Sequence, residues 1–564
     1  MGAPALASSA EGGDLPSPEE LVQQLLSPGA YPHTPSDVHF LQTHASLLFI
    51  AGIYVYKIKR AVNYGFLDYS TLARRKRFCR LEADLNSPAA PGVYLGVAEV
   101  RRKDGKLFIA DPGQPSPQGE VVEYAVKMRR LPVESSLSAL LRTGRVTGAD
   151  ARGIGRLVAS LHAQAKRSPA IARGGGIATL RRNVRENFRQ TLPYVGRLVS
   201  QDAYADIVAY TLAFLETRAG VMQRRAVEGR VVDGHGDLKA SDIYIVNGQV
   251  KVLDCIEFNR RFRYGDVASD LAFLAMDLDY HGCPDLSSAF VHAYLKASGD
   301  AEVMQLLGFF KCYRAYVRAK VNSFLVDDPA LTAERRQEAL ETAQAYYRLA
   351  HKYAQAFPRP AVIIVCGIMG TGKTTIAAEL TRRWNGTHVS SDVTRKALAG
   401  LAPTEHRYEA YGQGLYAAGM SQRTYQAMLA QARDALGRGD LVLLDATYRG
   451  AQERQEAARV ADEAKAPLWI LECVAPESVV RRRVLQRTAS GASASDARWE
   501  LYAQQKADWQ PIGDDAPAGR HILVDTSGVL EKVMQRLLQE LLLRAMRDTT
   551  ETDAPVRLTG SYPR

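Results

Sequence analysis

The rhythm of apolar and polar positions changes twice along the chain. Residues 45–59 and 92–128 carry apolar and alternating runs broken by turn signals such as Lys103-Asp104-Gly105-Lys106, which predict an antiparallel sheet. Within the first run, Tyr54-Val55-Tyr56-Lys57-Ile58-Lys59 alternates as a strand, so Lys57 and Lys59 share one face. From about 134 to 225 the period turns helical. Short strands around 243–254 then bracket the turn Asn247-Gly248, and helices return from 266 to 356. This half predicts a mostly β lobe followed by a mostly α lobe.

The segment Phe357-Pro358-Arg359-Pro360 separates that helical stretch from an abrupt β-branched run, Ala361-Val362-Ile363-Ile364-Val365-Cys366. Downstream, short strands near 361–366, 387–391, 441–446, 467–474 and 521–525 alternate with helical segments, the rhythm of a parallel sheet wrapped by helices. The expected fold class is therefore α+β followed by α/β. Its boundaries are an amino-terminal domain over 19–357, a second domain over 358–548, and mobile tails at 1–18 and 549–564. No internal repeat of 20 to 50 residues is visible.

Composition narrows the class. At 564 residues, 46% hydrophobic and 24% charged, the chain has the make-up of a globular protein with more than one core. Six cysteines, none spaced as C-x-x-C, are too sparse for a disulfide scaffold and read as free thiols of a reducing compartment. The longest apolar run, Ala45 to Tyr56, falls short of the ~20 residues of a membrane span, and the first thirty residues lack a basic stretch followed by an apolar core. A cytoplasmic protein with no membrane partner is expected. The formal charge of +11 favours polyanionic ligands without choosing among nucleotides, phosphate esters and nucleic acid.

Candidate chemistry is densest after residue 360. Gly367-Ile368-Met369-Gly370-Thr371-Gly372-Lys373-Thr374 fits G-x-x-x-x-G-K-[ST] in full, after a predicted strand and before a helix. Its glycines let backbone N–H groups close around phosphates, with Thr371 and Thr375 in the same loop and helix start. Lys373 brings positive charge to the β/γ phosphates, and the Thr374 hydroxyl suits Mg²⁺. A second strand runs to Asp392, with Arg395 three residues on. A carboxylate there can orient or deprotonate an acceptor hydroxyl and Arg395 can hold the acceptor's anionic group; a helix cap at Asp392 is the alternative. Leu441-Val442-Leu443-Leu444 delivers Asp445, a candidate for the metal's water shell. Arg481, Arg482, Arg483 and Arg487 share a helical segment before the polar loop Thr488 to Ser495, so Arg483 and Arg487 are candidate lid arginines; a solvated face is the alternative. These features resemble the small P-loop kinases that include gluconate kinases, bacteriophage polynucleotide kinase and zeta-type toxins. That resemblance implies a five-stranded parallel sheet, ATP with Mg²⁺, and an acceptor hydroxyl near Asp392.

The amino-terminal half carries a second constellation. His235-Gly236-Asp237-Leu238 is followed, after a short hairpin, by Asp254, and Gly265-Asp266-Val267-Ala268-Ser269-Asp270 opens a helix. Two carboxylates flanking a hairpin suit phosphotransfer, one accepting the substrate proton and one holding Mg²⁺. The pattern resembles the aminoglycoside phosphotransferase-like branch of the protein-kinase fold. The resemblance implies that Asp237 is the catalytic aspartate, Asp254 a metal ligand and Asp266 and Asp270 structural, and that a strand lysine, here Lys57, pairs with a helix glutamate, here Glu82. Two departures stand out. Asp242 occupies the position of the family's metal-binding asparagine, and Thr43-His44-Ala45-Ser46 stands where a Gly-rich phosphate loop would be.

Over residues 20–548 the order of motifs, including Gly65-Phe66-Leu67-Asp68, Tyr124 to Pro132 and Arg185-Glu186-Asn187-Phe188, resembles bacterial fusions labelled bifunctional aminoglycoside phosphotransferase/ATP-binding protein. The reading is an ATP- and Mg²⁺-dependent kinase in which the P-loop domain phosphorylates a small-molecule hydroxyl and the kinase-like domain is a second site. The competing readings are a P-loop ATPase switch coupled to a ligand-binding lobe, and a polynucleotide-end kinase. The last is disfavoured, because no basic stripe interleaved with aromatics is present.

Overall fold

A computed structural model describes residues 15–551 apart from 112–117, 356, 403–404, 406, 408–411, 491–497 and 514. The expected tails lie outside the described residues at 1–14 and 552–564. Inside them the chain is already regular: Ser17 Oγ caps the helix Pro18–Leu25 by accepting the Glu20 N–H at 3.1 Å, and the last helix, Leu530–Glu551, runs to the described end.

The chain divides into two compact units. The first comprises the residues up to Ser200 together with Arg218–Tyr353; the second comprises Gln201–Thr217 together with the chain from Ala354. The helix Gln201–Thr217, which the sequence reading assigned to the amino-terminal domain, is thus part of the second unit. The reason is long-range: Arg383, buried in the second unit, donates to Asp206 and Asp202 of this helix at 2.6 Å each.

In the first unit, six strands form an antiparallel sheet of order β1 (Val38–Gln42), β2 (Ser46–Ala51), β3 (Tyr54–Lys59), β6 (Glu120–Arg129), β4 (Tyr94–Lys103), β5 (Lys106–Ala110). Alternation along β3 sends Tyr56 and Ile58 into one core with Phe49, Val100 and Ile109. Val55 packs on the opposite side, in the cluster that contains Cys79 and Ala83 of the helix Leu72–Asn86. A helical lobe follows, containing the small sheet of β7 (Val231–Asp233) with β10 (Tyr264–Asp266) and the hairpin of β8 (Ile243–Val246) with β9 (Gln249–Val252). Asn247 and Gly248, both at positive φ, close that hairpin as the sequence predicts.

In the second unit, β11 (Ala361–Cys366), β12 (Thr387–Ser390), β13 (Leu441–Asp445), β14 (Leu468–Val474) and β15 (His521–Asp525) form an all-parallel sheet of order β12-β13-β11-β14-β15. Strands β11 and β13 are buried at every position, which explains their unbroken apolar runs: helices cover both faces. The chain leaves β11 toward β12 on one side and pairs with β14 on the other. The end of β11 is therefore the crossover point where such sheets open a ligand crevice. All six cysteines are free thiols, and no helix among the described residues is long and apolar enough to cross a membrane.

Candidate functional site

Each unit gathers its candidate residues at one place. In the first, the buried face of the helix Leu72–Asn86 carries Glu82 among Cys79, Ala83 and Asn86. There it meets both lysines of β3. Lys57 Nζ donates to Glu82 Oε1 at 2.8 Å and Lys59 Nζ to Oε2 at 2.7 Å. Lys57 also donates to Asp254 Oδ1 at 2.6 Å, while Lys59 pairs with Glu257, which accepts the Tyr69 hydroxyl as well. Burial alone would raise the Glu82 carboxyl; the two lysines, Lys57 first, reverse it and hold it below the usual carboxylate range. Asp254, at φ +65, is held well below that range chiefly by Lys57, against burial.

Asp237 sits in the loop between β7 and β8. The Asp270 carboxylate accepts the N–H groups of His235 at 2.7 Å and Gly236 at 2.9 Å, and His235 Nε2 donates to the Leu253 carbonyl at 2.9 Å. Gly236 is at φ +85, and a Cβ there would stand 2.7 Å from the Phe262 carbonyl oxygen, so the loop admits only glycine. Asp266 caps the helix Val267–Tyr280 and binds Arg225 through both oxygens, at 2.8 and 2.9 Å. Lys239, which the sequence reading passed over, donates to Asp237 Oδ2 and Asp242 Oδ2 at 2.5 Å each. Burial would raise Asp237, but Lys239 and then Arg318 bring it below the ordinary value. Burial wins at Asp242, whose carboxyl is pushed up to about 7 against the pull of Lys239. The β1–β2 turn is held by Thr43 where glycines were missed: Thr43 N–H donates to Ser46 O, and Ser46 N–H to Thr43 Oγ1, both at 2.9 Å.

In the second unit the loop after β11 begins the helix Lys373–Trp384, with Gly367, Gly370 and Gly372 all at positive φ. A Cβ at Gly370 would lie 2.8 Å from Val480 Cγ1 and 2.9 Å from Val484 Cγ2, so the helix Glu477–Ser490 closes against the loop. Lys373 Nζ donates to the Ile368 carbonyl at 3.0 Å and Thr371 Oγ1 to the same oxygen at 2.8 Å. Thr374 and Thr375 are exposed at the helix start. The Met369 N–H donates to Gln505 Oε1 at 3.0 Å, a support that no local motif announces.

Asp445 is buried at the end of β13, in register with Ser390 of β12, and its Oδ2 lies 3.2 Å from His388 Nε2. Asp392 stands two residues past Ser390, in the first turn of the helix Ser391–Leu398. This corrects the strand's end and the capping alternative of the sequence reading: β12 ends at Ser390, and the cap position is Ser390, not Asp392. Arg395 is buried over the Tyr416 ring, 4.7 Å from its centroid, and its Nε has no hydrogen-bond partner among the described residues.

Arg483 is anchored rather than displayed on a solvated face. It donates to Thr526 Oγ1 at 3.0 Å and Thr526 O at 2.6 Å, and Thr526 Oγ1 donates to the Thr371 carbonyl at 2.7 Å. With Gly372, Thr375, Arg487 and Thr526, it lines a cavity of about 270 Å³ that has Ile376, Leu530 and Val533 as apolar wall. Most of the expected lid loop, Thr488 to Ser495, lies outside the described residues.

The comparisons divide along the same line. The family described as AAA domain matches residues 362–512. Over 480 residues, 85% of this chain and 92% of the relative, the sequence is 30% identical to the uncharacterized protein Rv2004c of Mycobacterium tuberculosis, and it matches the uncharacterized protein Mb2027c of Mycobacterium bovis equally. The chain belongs to the Rv2004c family.

Two solved structures are similar to its separate parts. A gluconokinase from Sinorhizobium meliloti 1021 is 17% identical, with a TM-score of 0.26, over 35% of this chain and 100% of its own. A choline/ethanolamine kinase family protein from Mesorhizobium loti is 12% identical, with a TM-score of 0.36, over 59% of this chain and 98% of its own. At 480 residues the match to Rv2004c is too long to lie within either unit, so it spans both.

Proposed function

We propose that the protein is an ATP-dependent phosphotransferase, with the P-loop unit transferring the γ-phosphoryl group to a hydroxyl of a small molecule and the first unit as a second phosphotransfer site. One observation carries the reading of the P-loop unit: the loop Gly367–Thr374 ends at a helix N-terminus that borders the cavity lined by Thr375, Arg483 and Thr526. Loop amides and Lys373 suit the phosphates, and the half-apolar cavity suits the nucleoside. Mg²⁺ fits the donor set at this place, a Thr374 hydroxyl and the Asp445 carboxylate, and would neutralise phosphate charge when bound. Asp392 and Arg395 are the acceptor-side groups, a carboxylate to orient the hydroxyl and a buried guanidinium for an anionic substituent.

For the first unit, the support is the convergence of Lys57, Glu82 and Asp254 beside the loop of Asp237. Lys57 would pair with phosphates, Asp254 and Asp242 would hold Mg²⁺, and Asp237 would accept the hydroxyl proton. The acceptor is a small molecule rather than nucleic acid, and free thiols suit a cytoplasmic location.

The test is ATP consumption by the purified chain with pooled sugars, nucleosides, oligonucleotides and aminoglycosides. Acceptor-dependent turnover that falls by about 10² to 10³ in Lys373→Ala supports the P-loop unit as the kinase. Slow hydrolysis that ignores both acceptor and Asp392→Asn would replace this reading with a nucleotide-gated switch.

A further inference from the structure

In the first unit, Arg314 and Arg318 lie one turn apart on the helix Val303–Val326. Each guanidinium rests on an aromatic ring, Arg314 at 4.8 Å from the Phe273 centroid and Arg318 at 5.4 Å from that of Tyr346. Among the described residues neither closes a hydrogen bond to a carboxylate. Arg314 Nε donates to the neutral Ser269 hydroxyl at 3.1 Å; Arg318 donates to the neutral Tyr346 hydroxyl, and its Nε is buried with no partner among the described residues. Arg225 and Arg263 in the same unit do close on aspartates.

The nearby carboxylates are already engaged. Asp270, 3.8 Å from Arg314 Nη2, takes the N–H groups of His235 and Gly236. Asp277 takes the Tyr346 hydroxyl at 3.0 Å and the Ala240 N–H at 2.8 Å. Aromatic faces attract a cation but accept none of the in-plane N–H bonds of a guanidinium. Two arginines in this state beside a loop of fixed geometry form a preorganised seat for an anion. Arg314 also lines a cavity of about 60 Å³ with Asn183, Arg261 and Tyr313. Asp270 and Asp277, which hold the backbone of the loop at His235, Gly236 and Ala240, face Arg314 and the Tyr346 under Arg318. The seat therefore borders the loop that carries Asp237, and against burial the charge of Arg318, after that of Lys239, lowers the Asp237 carboxyl.

We propose that the acceptor of the first unit is a small hydroxylated anion, whose phosphate or carboxylate sits on Arg314 and Arg318 while its hydroxyl faces Asp237. The inference rests on the phosphotransfer reading of Asp237. In the step, the acceptor oxygen bonds to the γ-phosphorus of ATP and the bond from that phosphorus to the β–γ bridging oxygen breaks. The hydroxyl proton passes to the Asp237 carboxylate, and ADP leaves with the electron pair. A polycationic aminoglycoside would meet like charge at this seat.

The experiment uses the full chain carrying Lys373→Ala, so that the P-loop is silenced. Equilibrium dialysis with labelled inorganic phosphate is expected to show binding that weakens about tenfold or more in Arg318→Gln. Most of it should be kept in Arg318→Lys, and Asp237→Asn should tighten it by removing a neighbouring negative charge. If Arg318→Gln does not fold, Arg314→Gln supplies the same comparison. Phosphate binding that is indifferent to these substitutions overturns the proposal. ATP consumption is then measured with glycerol 3-phosphate, glycerate, glycerol and kanamycin. Asp237-dependent turnover of the anions supports the proposal and their ratio separates phosphate from carboxylate; preference for glycerol or kanamycin overturns it. Arginine-dependent phosphate binding without Asp237-dependent turnover upholds the anion seat and overturns the phosphotransfer reading instead.

Discussion

Lys57 Nζ lies 2.6 Å from Asp254 Oδ1, joining a strand of the sheet to the loop that follows β9. The same ammonium is 2.8 Å from Glu82, so one charge holds two carboxylates that would otherwise repel each other. Lys57→Met is expected to lower the Asp237-dependent rate by about 10² or more, since it removes a preorganised phosphate-side charge. Single-turnover kinetics of the Lys373→Ala chain measure this; a wild-type rate would remove Lys57 from the site.

Glu82→Gln should act on stability as well as rate. Lys59, 1% exposed, would keep Glu257 but lose its 2.7 Å bond to Glu82, and breaking a buried pair from one side costs about 3–5 kcal/mol. Urea unfolding followed by tyrosine and tryptophan fluorescence should show the lower midpoint, with Lys57→Met shifted less.

At the P-loop, Gly370→Ala adds a methyl 2.8 Å from Val480 Cγ1 at a backbone φ of +75. Both the strain and the clash fall on the loop itself, so ATP affinity should drop by tenfold or more, at about 1.4 kcal/mol per decade, while far-UV circular dichroism stays unchanged. Fluorescent-nucleotide titration of the Lys57→Met chain, whose first unit lacks its phosphate-side charge, isolates this site.

Asp242 predicts a pH signature. Its folded value of about 7 stands above the ~3.9 of an unfolded aspartate, so between those values the folded state binds the extra proton. Stability is therefore favoured by this group at low pH and lost as pH rises toward 7, by up to about 1.4 kcal/mol per pH unit. Asp242→Asn should flatten the slope of unfolding free energy between pH 5 and 7. Glu123, pushed up to about 7 by burial beside Arg75, contributes alike to both chains and cancels.

Much of this was legible in the sequence because it is written locally. The five parallel strands, the Gly367–Thr374 loop and the hairpin at Asn247-Gly248 depend on runs and turns a few residues long, and they appear within a residue or two of their expected bounds. Strand alternation placed Lys57 and Lys59 on one face, whereas the pairing of Lys57 with Glu82 came only with the resemblance to the kinase fold. Lys239 was within reach, two residues from Asp237. The rest depends on distance. Arg318 carries no local motif and gains its meaning only from Asp237 and Tyr346. The place of Gln201–Thr217 depends on a partner, Arg383, more than 160 residues away.

That helix gives a further prediction. Asp206→Ala leaves Arg383, 4% exposed, with Asp202 and Glu379 only, at a cost of about 2 kcal/mol to the second unit. A fragment starting at Ala354 should be less stable than the same unit in the full chain, and a synthetic 201–217 peptide should restore part of the difference in thermal melting.

The inserted helix also sets a timetable at the ribosome. Gln201–Thr217 is synthesised with the first unit, but β11, the first strand of its own unit, starts about 140 residues later. At roughly 5–20 residues per second, about seven to thirty seconds pass before even that strand begins, with Ile207, Tyr210 and Phe214 uncovered. Nascent chains of this protein thus pass through an interval in which an apolar helix face is open to chaperones, and the interval closes only once the second sheet has emerged.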